Sequence, residues 1–323
     1  MGTQLTHLVT GAAGFIGSHL VDKLLEQGHR VIGIDDLSLG TRQNLAKALT
    51  STDFVLEELD LNHRAGFLDF LGTRHAHQPV RTLWHLAANS DIQAGVSDPE
   101  VDLRRTFLTT YHTLGVMQQL RIPELLFAST SAVYGELGGA LTEASGPLLP
   151  ISSYGAMKLA SEGIISAASE QFLKHAWIFR FPNVVGPRAT HGVIYDFLRK
   201  LRRNPSELEV LGDGTQEKPY LHVTELVEAM LFLHERSRER MNVFNISPDD
   251  TTTTVRHIAE ATVRTAVGQA TIRYTGGDRG WVGDVPKFRY SIAKLKAAGW
   301  LPRLTSDQAV ELAIRENLGV LGR

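Results

Sequence analysis

A tyrosine and a lysine stand four residues apart in the segment 153–158, Ser-Tyr-Gly-Ala-Met-Lys. If the segment is helical, Tyr154 and Lys158 leave the same face, one turn apart. A nearby ammonium favours the phenolate over the neutral phenol, so we expect Lys158 to lower the pKa of Tyr154. Such a tyrosine could remove a proton from an alcohol while a hydride leaves the same carbon. The pair also fits an ordinary solvated helix face, so its interpretation depends on the surrounding elements.

A glycine-rich turn near the N-terminus supplies the first of those elements. Residues 5–10 form an apolar run typical of a buried strand, and apolar residues then recur at helical spacing from Phe15 to Leu25. Gly11, Gly14 and Gly17 therefore lie at a strand-to-helix turn. Glycines there permit a tight turn, a close approach of a pyrophosphate and close packing of helix on strand. The helix N-terminus offers free N–H groups and a positive dipole end to phosphates.

A second predicted strand, residues 30–35, ends in Asp35. An acid in this position accepts hydrogen bonds from the adenosine ribose of a dinucleotide. A carboxylate would repel a 2′-phosphate, so Asp35 favours NAD over its phosphorylated form. The polar loop 36–40 follows directly. Together with the glycine turn, this pattern predicts a dinucleotide-binding domain.

Composition limits the remaining possibilities. The chain has 323 residues, of which 43% are hydrophobic, enough for one large or two modest domains. A formal net charge of −2 does not suggest a nucleic-acid or membrane partner. The absence of cysteine excludes disulfides and thiolate chemistry and fits a reducing compartment. No signal peptide and no apolar run near the ~18 residues of a membrane span are evident. We therefore expect a cytoplasmic protein.

The histidines do not indicate a metal site. The chain has 13 of them, but none form the His-x-x-x-His or His-Glu-x-x-His spacing that places two ligands on one helix face. We expect no metal.

Strand-like and helix-like segments alternate over the first 180 residues, which predicts an α/β fold: a doubly wound parallel sheet of the Rossmann type. We assign residues 1–182 to this domain, with a segment near 220–247 returning to it. Residues 183–323 are assigned to a smaller, partly interleaved substrate-binding lobe. The predicted helices 98–120 and 153–172 carry more apolar surface than the sheet needs, so a homodimer through them is expected.

Further motifs follow in order along the chain. They are Asp60-Leu61, His85-Leu86-Ala87-Ala88, Ser129-Thr130-Ser131-Ala132-Val133-Tyr134-Gly135, Arg180-Phe181-Pro182-Asn183-Val184-Val185-Gly186-Pro187-Arg188 and Gly212-Asp213-Gly214-Thr215-Gln216. With the glycine turn, Asp35 and the Tyr154–Lys158 pair, they make the chain resemble the extended short-chain dehydrogenase/reductase family. The similarity is to its NAD-dependent nucleotide-sugar epimerase/dehydratase branch and runs nearly end to end.

The resemblance implies a role for each matching position. Thr130, Tyr154 and Lys158 would be catalytic, with Tyr154 as the base. Tyr154 and Lys158 would also touch NAD, in a site shared with Gly11, Gly14, Phe15, Ile16, Asp35, Asp36, Ser38, Gly40, Asp60, Leu61, Leu86, Ala87, Ala88 and Phe181. The substrate, a nucleotide-diphosphate sugar, would contact Ser131, Asn183, Lys218 and Arg279.

The two residues after Thr130 bear on which reaction is expected. Family members that eliminate water carry Asp-Glu there, and decarboxylating relatives keep a Glu, whereas this chain has Ser131 and Ala132. The resemblance therefore favours an NAD-dependent 4-epimerase that inverts C4 of a hexose of the UDP-glucose/UDP-galactose type through a 4-keto intermediate. A 4,6-dehydratase or 4-ketosugar reductase of the same family stays an alternative. A non-catalytic NAD-binding regulator is a second one.

Two departures from the family pattern fall on the substrate side. Lys218 stands where an arginine is usual, and lysine neutralises phosphate without the planar fork of a guanidinium. The segment around Arg279 is longer than usual. An unusual nucleotide sugar is therefore possible.

Overall fold

Six strands from the first 181 residues and one later strand form a single seven-stranded sheet. The computed structural model describes residues 4–277, 280 and 285–321. The sheet has the order β12-β7-β5-β4-β1-β2-β3. Its strands are β1 (Thr6–Thr10), β2 (Arg30–Asp35), β3 (Phe54–Glu58), β4 (Val80–His85), β5 (Glu124–Thr130), β7 (His175–Phe181) and β12 (Met241–Asn245). β1 pairs in parallel with both β2 and β4, and the pairs β2–β3 and β4–β5 are also parallel. The predicted α/β fold with a Rossmann-type parallel sheet is confirmed.

The chain order reverses on the two sides of β1, because β2 and β3 lie on one side and β4 and β5 on the other. In a doubly wound sheet, ligands bind outside the carboxyl ends of the strands at such a point. The residues that follow β1, β2, β4 and β5 are therefore the ones that this architecture can bring to one site.

Helices connect these strands. They are α1 (Phe15–Glu26), α2 (Arg64–His77), α3 (Ile92–Ser97), α4 (Pro99–Asp102), α5 (Thr109–Leu120) and α6 (Ser153–Gln171). The predicted helix 98–120 is interrupted, because a π-helical turn, Leu103–Leu108, joins α4 to α5. The apolar periodicity that predicts a helix does not distinguish hydrogen bonds to residue i+4 from those to residue i+5, so this turn was not expected. Single π turns inside helices are frequent at functional sites.

Two compact units share the chain. The first contains Met1–Thr130, Ser153–Arg180 and Met230–Val243. Its core is formed by buried aliphatic residues of the strands and of α2, α5 and α6, including Leu8, Phe67 and Ile165. β1 is buried along its whole length. A strand covered on both faces needs a continuous apolar run, which the sequence supplies.

The second unit contains Ser131–Ser152, Phe181–Ala229 and Phe244–Arg323. Its strands are β6 (Ala140–Leu141), β8 (Asn183–Val185), β9 (Glu207–Val210), β10 (Glu217–Lys218), β11 (Tyr220–His222), β13 (Thr253–Thr254), β14 (Thr271–Tyr274) and β15 (Arg289–Tyr290). Its helices are α7 (Val193–Arg203), α9 (Val255–Ala266), α10 (Ala293–Ala297) and α11 (Ser306–Leu321), while α8 (Val223–Arg236) begins in this unit and ends in the first. A separate apolar core, which includes Phe197, Ile258 and Ile314, joins α7, α9 and α11. The predicted domain boundaries stay a prediction.

Among the residues that the structure describes, short 3₁₀ turns lie at Arg42–Leu45, Ala48–Thr50 and Ser131–Tyr134.

Candidate functional site

The glycine-rich segment between β1 and α1 requires glycine at two of its three positions, Gly11 and Gly17. Gly11 has a φ of +68°, and a Cβ added to it would lie 2.8 Å from the backbone nitrogen of Ala87. A Cβ on Gly17 would lie 2.0 Å from the carbonyl oxygen of Gly11, so this glycine sets how closely α1 packs on the strand. Gly14 is the N-cap of α1 and has no side chain to cap it. The first N–H groups of the helix are therefore available to a phosphate.

Asp35 ends β2 and ties this turn to the next loop. Its Oδ2 accepts a hydrogen bond from the Ala13 N–H at 2.9 Å, and its Oδ1 accepts one from the Leu37 N–H at 2.8 Å. Burial raises the pKa of Asp35, and these two N–H donors act against that rise. Each carboxylate oxygen has a second lone pair with which to accept a ribose hydroxyl. The predicted ribose-binding position is thus occupied by a fixed acceptor.

The remaining predicted cofactor positions follow the carboxyl ends of the strands or begin α1. Phe15 and Ile16 are the first residues of α1, and Phe181 is the last of β7. In the loop after β2, exposed Asp36 accepts hydrogen bonds from the N–H and hydroxyl of Ser38, and a Cβ on Gly40 would lie 2.8 Å from the Ala13 backbone.

Beyond β3 and β4 the arrangement is similar. Asp60 is exposed and Leu61 is buried in the loop after β3. Leu86, Ala87 and Ala88 follow β4 and are half-buried. The Leu86 N–H donates to the Thr10 carbonyl at 3.2 Å, which fixes this segment beside the glycine turn. Both loops lie at the carboxyl ends of their strands, where the cofactor is predicted to bind. The individual contacts stay a prediction.

Lys158 is almost completely buried, with 2% of its surface exposed. Its Nζ donates a hydrogen bond to the carbonyl oxygen of Ala128 at 2.6 Å and lies 5.8 Å from the centre of the Tyr154 ring. Burial lowers the pKa of Lys158 to about 7, while the negative charges of Glu162 and Asp102 act in the opposite direction. A lysine in this state can carry or lose its charge in the physiological range.

Tyr154 lies one turn before Lys158, at the start of α6, and hydrogen-bonds the Thr130 side chain at the end of β5. The expectation that Lys158 lowers the Tyr154 pKa is wrong for the protein itself. Burial raises the pKa of Tyr154 above its ordinary value, and the hydrogen bond with Thr130 only partly opposes this. The physical reason is that desolvating the phenolate costs more than its surroundings return.

A buried ion pair between Glu162 and Arg180 lies beside Lys158 and was not predicted from the sequence. Glu162 accepts hydrogen bonds from Arg180 Nε at 3.0 Å, from an Arg180 terminal nitrogen at 2.6 Å and from the Ser129 hydroxyl. Glu162 follows Lys158 by one helical turn, on the same buried face of α6. The spacing Tyr154, Lys158, Glu162 was available in the sequence, and the isolated arginine in the apolar strand β7 was the second signal.

The predicted substrate residues belong to the second unit or lie outside the described residues. Ser131 opens a 3₁₀ turn, Asn183 begins β8 and is exposed, and Lys218 ends β10 and is buried. The strand β8 pairs with β11 so that Asn183 faces Tyr220. Arg279 lies outside the described residues, so its predicted phosphate contact stays a prediction.

The described part of the chain has neither a cluster of metal-binding side chains nor a membrane-spanning helix. Within residues 4–277, 280 and 285–321, no group of three or more His, Asp or Glu side chains is placed to hold a metal ion. Over the same residues, no helix is long and apolar enough to cross a bilayer.

The fold and the site together define a class of protein. A glycine turn followed by an acid at the end of β2 marks a dinucleotide-binding domain. The set of Thr130 at the end of β5 with Tyr154 and buried Lys158 at the start of α6 suits the oxidation of an alcohol to a ketone. Residues 7–247 match the NAD-dependent epimerase/dehydratase family. The chain belongs to that family, and NAD is its cofactor.

Individual relatives agree with this assignment. A UDP-glucose 4-epimerase from Mycolicibacterium smegmatis is 31% identical over 229 residues, which cover 69% of this chain and 71% of the relative. A crystal structure of a UDP-galactose 4-epimerase superposes with a TM-score of 0.84 at 34% identity, covering 98% of this chain and 99% of the other. A UDP-glucose 4-epimerase from Thermus thermophilus in complex with NAD gives 0.84 at 27% identity, covering 97% and 98%. The family resemblance and the cofactor inferred from the sequence are confirmed.

Proposed function

We propose that this protein is an NAD-dependent nucleotide-sugar 4-epimerase. One observation carries the proposal: Thr130, Tyr154 and buried Lys158 lie together, and no carboxyl group occupies the two positions after Thr130. The cluster supplies what the oxidation of a sugar alcohol needs. Ser131 and Ala132 lack the carboxyl group that a following elimination or decarboxylation needs.

Tyr154 is the proton carrier in this mechanism. The phenolate form of Tyr154, a minority form because burial raises its pKa, accepts the proton of the C4 hydroxyl at Oη as the C4–H bond breaks. It returns that proton to the same oxygen when the C4–H bond forms again on the opposite face. NAD, when bound, supplies the acceptor of the C4 hydride and later its donor. The Thr130 hydroxyl orients the Tyr154 hydroxyl through their hydrogen bond. The Lys158 ammonium lies 5.8 Å from the centre of the Tyr154 ring.

The residues that would hold NAD are those of the glycine turn and its neighbours. When NAD is bound, the N–H groups at the start of α1 would hold the pyrophosphate, Asp35 would accept from the adenosine ribose, and Lys158 would donate to the nicotinamide ribose. The steric limits at Gly11 and Gly17 fit this use, because a side chain at either position would collide with backbone.

The substrate is a UDP-hexose of the glucose/galactose type. Support comes from the relatives, which include a UDP-glucose 4-epimerase and a UDP-galactose 4-epimerase. We assign the binding of the nucleotide-diphosphate sugar to residues 183–323, with Asn183, Lys218 and Arg279 as contacts, and residues 1–182 to NAD. An ammonium at Lys218 neutralises a phosphate charge without fixing its orientation.

The enzyme works as a cytoplasmic homodimer in this proposal. Large apolar side chains are exposed on the predicted interface segment 98–120, with Leu103 41% and Tyr111 54% accessible. On α6, an open and mostly apolar groove is lined in part by Leu159, Gly163 and Ser166. Pairing these helices with a second copy would cover both surfaces. The cysteine-free sequence fits a reducing compartment.

The deciding experiment is a substrate panel. The purified protein is incubated without added cofactor with UDP-, GDP-, CDP- and dTDP-hexoses, and products are identified by mass spectrometry and NMR. We expect the C4 epimer of a UDP-hexose, with its mass unchanged. A product that has lost water or carbon dioxide would contradict the epimerase proposal and support a dehydratase or decarboxylase.

Tyr154→Phe is the matched control for that panel. The variant lacks only the hydroxyl that carries the proton, so we expect turnover to fall at least ~100-fold while NAD remains bound. Bound NAD is measured by its release on denaturation. Wild-type turnover in this variant would refute the role of Tyr154, and no turnover of any sugar by the wild type would favour a non-catalytic NAD-binding protein.

A further inference from the structure

Asp102, the last residue of α4, is a buried carboxylate beside the catalytic pair. None of its surface is exposed. The helix α4 packs against α6, and Asp102 interacts electrostatically with both Tyr154 and Lys158. We propose that Asp102 is a positioning residue whose buried negative charge acts on Tyr154 and Lys158. The inference rests on the proposed function of that pair.

The carboxylate of Asp102 is only half satisfied by hydrogen bonds. Its Oδ1 accepts from the Asn89 side-chain amide at 2.8 Å. Its Oδ2 is buried and, among the described residues, has no hydrogen-bond partner. This oxygen lies against the backbone of Gly95, where an added Cβ would come within 1.8 Å of it. A buried, unsatisfied carboxylate oxygen is costly to the fold, and such groups are often retained for an electrostatic or catalytic role.

Neighbouring elements hold Asp102 in a fixed position. Asn89 follows β4, is itself buried, and binds the backbone of Asp91 through both ends of its amide. The backbone N–H of Asn89 also donates to the hydroxyl of Thr106, which lies in the π-helical turn that begins directly after Asp102. The end of β4, the start of α3 and the π turn thus meet at Asn89, which presents its amide to the carboxylate. A charge fixed in this way acts on its neighbours without reorganisation.

The charged and titratable groups around the pair come from several elements. Lys158 faces Glu162 on its own helix, Asp102 on α4 and His85 on β4. Burial raises the pKa of Asp102, and so does the charge of Asp91 at the start of α3, while the hydrogen bond from Asn89 and the charge of Lys158 lower it. His85 is buried and its pKa is lowered to about 3 by burial and by Lys158, so it stays neutral.

The charge of Asp102 shifts both members of the pair in one direction. A carboxylate favours the protonated form of any neighbour, and it therefore raises the pKa of Tyr154 and that of Lys158. For Lys158 this rise opposes the effect of burial, which lowers the pKa. For Tyr154 it adds to the effect of burial, which raises the pKa. Removing the charge must consequently lower both pKa values, whereas a purely structural loss would reduce activity without moving either.

The test compares Asp102→Asn with Asp98→Asn as a matched control. Asp98 is exposed at the opposite end of the same short helix and caps it, a role that asparagine also fills. Epimerisation is measured against pH in the holoenzyme. We expect both limbs of the profile of Asp102→Asn to move to lower pH by at least about half a unit, and the profile of Asp98→Asn to stay in place. A profile that only loses height, or an equal displacement in both variants, would overturn the proposal.

A second readout does not depend on activity. The pKa of Lys158 is followed by NMR of protein labelled at the lysine ε-carbon, with Lys158→Ala used for assignment. It must fall in Asp102→Asn and in Asp102→Ser, whose smaller side chain relieves the contact with Gly95. In the wild type, the same resonance must show a second, acidic step as Asp102 takes its proton. A single-step titration would contradict the proposal even if neither variant folds. A displaced Lys158 pKa in a protein that epimerises no sugar would leave this inference standing and refute the proposed function alone.

Discussion

Lys158→Met should make the NAD-free protein more stable at low and neutral pH, at the expense of activity. The pKa of Lys158 falls from its ordinary 10.5 to about 7 because the ammonium is buried. At ~1.36 kcal/mol for each pKa unit, keeping that charge inside the fold costs about 5 kcal/mol when the lysine is protonated in both states. Methionine has a similar length and no charge, so it removes this cost.

The expected gain is smaller than the full electrostatic cost, since the substitution also removes the hydrogen bond to the Ala128 carbonyl. A hydrogen bond with a charged donor contributes about 1.5–3 kcal/mol. We therefore expect Lys158→Met to raise the free energy of unfolding by about 2–3 kcal/mol below pH 7, and to abolish epimerisation.

The sign of the pH dependence follows from linkage. Lys158 has a lowered pKa in the folded state, so its destabilising effect is complete below about 7 and disappears as pH rises through 10.5. Between those values the unfolded chain binds more protons than the folded one, and the wild type gains stability relative to the variant. The advantage of Lys158→Met should therefore shrink and then reverse across this window.

The measurement is chemical denaturation of the wild type and the variant at a series of pH values that spans the window. Taking the difference cancels other groups that titrate in both proteins. Lys174→Met, at an exposed position after α6, is the control and should show no comparable trend. A constant difference between wild type and Lys158→Met, or one that grows with pH, would refute the assignment of a buried, charge-destabilising lysine.

Three further predictions concern the glycine turn, the amino end of strand β5 and the proposed dimer. Gly17→Ala should lower stability by about 1–3 kcal/mol and reduce bound NAD, because its Cβ would overlap the Gly11 carbonyl oxygen; thermal unfolding and released NAD report this, and wild-type values would contradict it. Glu124 is buried at the start of β5. Burial alone would raise its pKa, but hydrogen bonds from His234 and two arginines hold the pKa well below 4.5. Glu124→Gln should thus lower the free energy of unfolding by about 3–5 kcal/mol at neutral pH. The loss should be smaller as pH falls below 4.5, since the stability that the carboxylate contributes disappears when it is protonated. Denaturation at several pH values tests this, and an equal loss at all pH values would count against it. Tyr111→Asp should convert the proposed dimer to monomers in light scattering, because a charge replaces a half-exposed apolar ring; an unchanged mass would place the interface elsewhere.

The main architecture could be predicted because local patterns and burial agree. Parallel strands covered on both faces require continuous apolar runs, and the chain supplies them at β1, β2 and β5. The glycine turn and Asp35 were recognisable because their chemistry depends on residue type and on distance along the chain. The π turn at Leu103–Leu108 was not, since it depends on how α4 and α5 pack rather than on periodicity.

The sequence by itself determined which groups could react. Tyr154, Lys158 and Thr130 were identified from their types, their spacing and the motifs around them, and the neutral Ser131 and Ala132 indicated what the site lacks. It also placed Tyr154 and Lys158 on one helix face, because a helix fixes the geometry of residues four apart.

Only the tertiary structure decided the electrostatic state of these groups. A pKa depends on burial and on charges brought near by folding, and neither is encoded in local spacing. Burial makes Tyr154 harder to ionise than the sequence suggested and makes Lys158 easier to neutralise. Asp102 lies 52 positions before Tyr154 in the chain, yet it acts on the same pair because α4 packs against α6.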